Sequence, residues 1–95
     1  MPAFIMMGKY SSQAMKLISA RRTANAQEII GKCGGKLVTG YATMGETDIV
    51  MVMDFPGIHE ALKASIALNK ALGISFTTLP ALPIEDFDKL VGGKK

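Results

Sequence analysis

Asp48-Ile49-Val50-Met51-Val52-Met53-Asp54-Phe55 is apolar on both parities. Ile49, Met51, Met53 and Phe55 form one set; Val50 and Val52 form the other. A strand with one wet face alternates apolar and polar residues, so this strand is expected to be covered on both faces. Helices of the same chain can cover one face. In a chain of 95 residues, the other cover is expected to be a second copy. The run therefore predicts a strand and a homo-oligomer together, and it names no reaction.

Working outward, Gly45-Glu46-Thr47 precedes the run and predicts a hairpin turn. The preceding strand is read as Leu37 to Met44. Thr39, Tyr41 and Thr43 share one parity, and Val38, Ala42 and Met44 the other. After the run, Phe55-Pro56-Gly57 ends the strand. Residues 58–72 then read as an amphipathic helix. Ile58, Ala61, Leu62, Ile66, Leu68 and Leu72 are expected inward, with His59, Glu60, Lys63 and Lys70 outward. Gly73 is the stop, and Ile74 to Leu82 is the last strand.

The N-terminal half mirrors this plan. Ala3 to Lys9 reads as a strand, and Ser11 or Ser12 as the cap of the next helix. In residues 13–33, Met15, Ile18, Ala26, Ile29, Ile30 and Cys33 fall on one side of a helix. Arg22 would then lie inside the apolar stripe. That misfit predicts a break between Ser19 and Thr23, and Gly34-Gly35 ends the segment. Pro83 starts a short terminal helix over residues 84–91, with Glu85, Asp86 and Asp88 in its first turns, where the helix dipole favours acids. Gly92-Gly93-Lys94-Lys95 reads as a frayed tail.

The order β-α-β-β-α-β predicts one α+β domain over residues 1–95. Its architecture is ferredoxin-like, with a four-stranded antiparallel sheet, two helices on one face and an added C-terminal helix.

Composition narrows the function. Apolar residues make up 48% of the chain, which excludes disorder. The net charge of +3 is uneven. Residues 1–45 hold six Lys/Arg against one acid, a net of +5; residues 46–95 hold five Lys against seven acids, a net of −2. The basic half would suit a small anionic ligand, although a solvated helix face is the favoured reading. Its density falls short of a nucleic-acid patch, and no binding to nucleic acid is expected. The single cysteine, Cys33, cannot form an internal disulfide, and a reducing compartment follows. Residues 1–7 are too short for a signal peptide, and no stretch is long enough for a membrane span, so the expected location is cytoplasmic.

Specific chemistries of this architecture fail on residue type. RNA-recognition domains stack bases on aromatics of the central strands, where this chain has aliphatics and Met. Soft-metal transport and iron–sulfur binding need more than one cysteine. No phosphate-binding Gly-rich loop follows a strand. No catalytic residue, metal ligand or cofactor is assigned. His59, the single histidine, falls on a polar helix face, and Cys33 on an apolar stripe. The candidate ligand-binding residues are Lys9, Tyr41, Thr43, Asp48 and Thr77. Strand positions would place the polar tips of Lys9, Tyr41, Thr43 and Thr77 on one sheet face, around a cavity between two sheets, while Asp48 is expected to accept mainly from the Gly45–Thr47 turn or adjacent backbone.

The start Met1-Pro2 with Ile5 and Gly8-Lys9-Tyr10-Ser11, the stretch Gly34-Gly35-Lys36-Leu37, the hairpin Met44-Gly45-Glu46-Thr47-Asp48-Ile49-Val50 and the ending Thr77-Thr78-Leu79-Pro80-Ala81 together resemble the bacterial GYD domain family. Gly45 and Asp48 fit its signature, while Thr47 stands where a tyrosine is usual. The resemblance implies a dimeric α+β barrel with two sheets face to face, and it carries no established activity. The leading expectation is a homo-oligomeric small-molecule-binding or interaction module. The alternative, by analogy with related barrels, is a cofactor-independent monooxygenase- or isomerase-like enzyme.

Overall fold

The computed structural model describes residues 1–92. Of the expected tail, residues 93–95 lie outside the described residues. In chain order the elements are β1 (Ala3–Tyr10), α1 (Ser12–Met15), α2 (Ala20–Lys32), β2 (Lys36–Ala42), β3 (Ile49–Asp54), α3 (Ile58–Leu72), β4 (Ile74–Ala81) and α4 (Ile84–Leu90). The sheet order is β2-β3-β1-β4, and every neighbouring pair is antiparallel. This is the ferredoxin-like arrangement, with the two central strands supplied by β1 and the two-faced run.

The register sorts that run. Phe4 pairs with Met53 and Met6 with Met51, and these side chains form the core together with Ile30, Phe55, Leu68, Leu72 and Ile74. Phe55, Met6, Ile30, Met53 and Leu68 are fully buried. Each contributes roughly 1.5–3 kcal/mol relative to an exposed position. Phe4 and Phe55 meet edge to face at 5.9 Å. The other parity, Ile5, Met7, Val50 and Val52, lies on the opposite face, which no described helix covers, and is only half-buried.

The helical segment 13–33 does break. Ser11 caps α1, its hydroxyl accepting from the Ala14 N–H at 3.0 Å. Ser19 caps α2 in the same way through the Arg22 N–H at 3.3 Å. The new register leaves Met15 and Ile18 exposed, contrary to the single-stripe reading, while Ala26, Ile29, Ile30 and Cys33 face the core. Arg22 is half-buried, and its Nη2 donates to the Leu72 carbonyl at 2.6 Å. The misfit is thus a tie between two helices.

Three further expectations need correction. On α3 the buried stripe is Ala61, Ala64, Leu68 and Leu72, while Ile58, Leu62 and Ile66 are 53%, 48% and 57% exposed. At 100° per residue the two stripes lie about a third of a turn apart. The alanines win because their small side chains let the helix sit close to the sheet. On β2, the register slips between Leu37 and Thr39, so the simple alternation read over Leu37 to Met44 breaks at a bulge that leaves Val38 exposed. The β2–β3 loop runs from Thr43 to Asp48, longer than the three-residue turn expected, with Gly45 at φ +122°.

Every residue from Leu82 to Gly92 is exposed. The terminal helix α4 therefore adds nothing to the core, and Ile84, Phe87, Leu90 and Val91 present apolar surface to solvent.

Candidate functional site

The open sheet face carries one transverse row: Tyr41 beside Val50, Val50 beside Met7, and Met7 beside Thr77. Tyr41 and Thr77 thus share a face, as their parity requires. They stand on the two edge strands, three strand spacings or roughly 14 Å apart, and do not meet within one subunit.

The other candidate residues gather at the hairpin end of the same face. Asp48 is 9% exposed, and its Oδ2 accepts from the Tyr10 N–H at 3.0 Å. Of the two backbone partners expected, the turn and its neighbours, the donor is the neighbouring end of β1. Lys9 Nζ lies 3.5 Å from Asp48 Oδ1 and donates to the Gly45 carbonyl at 3.1 Å. Thr43 sits just past β2, and its hydroxyl donates to the Thr47 carbonyl at 2.6 Å. The Asp48 N–H donates to Gly8 and its carbonyl accepts from Thr43, both at 2.8 Å. Lys9 and Asp48 therefore fasten the β2–β3 loop to β1 while Thr43 closes the loop on itself, a geometry that binds a loop with its own polar groups.

A second site lies on the other side of the sheet and was not legible in the sequence. Between α2 and the sheet is an apolar cavity of about 60 Å³. Ile49, Met51, Ile74 and Phe76 form its sheet side, Ala26 and Ile30 line it from α2, and Leu68 and Leu72 from α3. Gly8 shapes that side: a Cβ there would come within 2.7–2.9 Å of Phe76, Ile49 and Ile74. Without it, those three side chains converge over the backbone of β1. The polar lining comes from Tyr10, Ser19, Arg22, Thr23 and Gln27. The α1–α2 break makes this site. It puts Ser19 at the cap and Arg22 in the first turn of a separate helix, with Arg22 bonded to the C-terminal end of α3.

Neither singular residue of the sequence joins the cavity. His59 is exposed in the first turn of α3, and Cys33 is a free, partly buried thiol at the C-cap of α2. Among the described residues, no group of three or more His, Cys, Asp and Glu side chains could hold a metal ion. No described helix is long and apolar enough to cross a membrane.

These features define an α+β fold of ferredoxin-like topology, with a sheet face that no described helix covers and a cavity under one helix. The chain belongs to the GYD domain family, whose model matches residues 4–91. No curated protein matches it.

Proposed function

We propose that the protein is a small-molecule-binding module that works as a homodimer. The observation that carries the binding reading is the apolar cavity under α2, with its polar lining. Close-packed interiors hold few voids larger than a water molecule. A cavity of this size next to the adaptable side chain of Met51 is space a ligand can use. Assembly is supported by Ile5, Met7, Val50 and Val52, an apolar patch that no described helix covers. In the dimer, two such faces pack together. Tyr41 and Thr77 then border whatever space remains between the sheets, with the Lys9–Asp48 pair at the rim.

Xenon tests the cavity without any assumption about the ligand's polar end, because it enters apolar voids. Under xenon pressure, the methyl resonances of Ile30, Leu68 and Ile74 shift. Ala26→Leu, which fills the space from α2, abolishes those shifts while the protein stays folded. Absence of any xenon effect on the unmodified protein would remove the binding reading.

A further inference from the structure

We infer that the cavity under α2 takes a short aliphatic carboxylate, its hydrocarbon end inside and its carboxylate on Arg22. This names the ligand class for the binding reading above and rests on it. The size comes from the volume. An apolar cavity of roughly 150 Å³ holds benzene, and about 60 Å³ admits a branched tail of only a few carbons. The wall that meets the tail is hydrocarbon from Ile30, Met51, Leu68 and Ile74, so nothing deep inside would satisfy a polar group.

The charge comes from Arg22. Its guanidinium carries five N–H donors, and one of its nitrogens, Nη2, is engaged by the Leu72 carbonyl. No carboxylate of the described residues pairs with it. The bond to Leu72 holds the planar group in place, and the donors left over suit the two oxygens of a carboxylate. Ser19, whose hydroxyl only accepts from the Arg22 N–H, brings an O–H donor to the same lining, while the Thr23 hydroxyl is spent on the Ser19 carbonyl. Arg21 is the exposed neighbour of Arg22, so the local field also favours an anion. A neutral ligand of the same shape would leave the guanidinium without its charged partner.

The test compares three probes on the unmodified protein by NMR titration: 3-methylbutanoate, 3-methylbutanamide and acetate. The inference expects 3-methylbutanoate to shift the Arg22 side-chain resonance and the Ile30 and Ile74 methyls together. It should bind at least about tenfold more tightly than the amide, the worth of a charge-assisted pair over a neutral one. Acetate, lacking the tail, binds more weakly than 3-methylbutanoate. Arg22→Gln retains an N–H donor for Leu72 and brings the acid-to-amide ratio close to one. Equal binding of acid and amide overturns the inference. So does an acid response that maps outside the cavity, or no response up to about 20 mM, beyond the range expected for so small a ligand. Xenon entry without an acid preference defeats the carboxylate alone, whereas failure of xenon to enter defeats the binding reading itself.

Discussion

Arg22, in the first turn of α2, donates from Nη2 to the carbonyl of Leu72, the last residue of α3, at 2.6 Å. The final carbonyls of a helix lack intrahelical partners and carry partial negative charge. A cation placed there closes α3 and pins the start of α2 against it. Gly73, at φ +72°, turns the chain away into β4 just beyond. One hydrogen bond thus joins the two helices and sets a corner of the cavity.

Arg22→Ala removes that bond and leaves a part-buried carbonyl without its donor. The expected loss is about 1–2 kcal/mol, below the full value of a charged hydrogen bond because Arg22 is partly solvated. Urea unfolding at constant slope checks it. Arg22→Gln, with an amide donor retained, loses less than Arg22→Ala.

Asp48 connects the loop and β1 through Tyr10 and Lys9. Asp48→Ala strands the Tyr10 N–H and costs about 2 kcal/mol, while Asp48→Asn retains an acceptor and costs about 1 kcal/mol. Thermal melts of the two variants should rank in that order. A loss of ligand binding with no change in melting temperature would instead assign Asp48 to a binding role.

Gly35 lies against the fully buried Phe55 ring, and a Cβ there would stand 2.3 Å from Phe55 Cε1. That ring packs on Phe4 and cannot move without disturbing the core. Gly35→Ala is expected to destabilise by about 1–3 kcal/mol, the usual range for overpacking. An unchanged denaturation midpoint would show that the ring has room to yield.

The fold was legible because its decisive signals are local. The double parity of residues 49–55 places β3 at the centre, and the misfit of Arg22 marks the break before α2. Gly73 marks the end of α3. The α3 face was legible only in part: Ala61, Leu68 and Leu72 are buried as expected, but Ile58, Leu62 and Ile66, a second coherent stripe, are exposed and Ala64 takes their place. Hydrophobicity favours the larger residues, whereas close approach to the sheet favours the small ones. The cavity was not legible either. Tyr10, Arg22, Leu68 and Phe76 come together only through tertiary packing. For the hairpin end, residue type and position singled out Lys9 and Asp48, but their bonds to Gly45 and Tyr10 depend on a loop whose path no periodicity describes.

Association through the uncovered sheet face is the central claim, and sedimentation equilibrium of the unmodified protein beside Val52→Lys tests it most directly. Val52 is half-buried on that face, so in a monomer a lysine there can extend its charge to solvent. Between two packed sheets the same charge would be buried without a partner, at a cost of several kcal/mol. The account predicts a dimer for the unmodified protein at micromolar concentration and a folded monomer for Val52→Lys. A stable monomer of the unmodified protein, or a Val52→Lys dimer as tight as the parent, would contradict it.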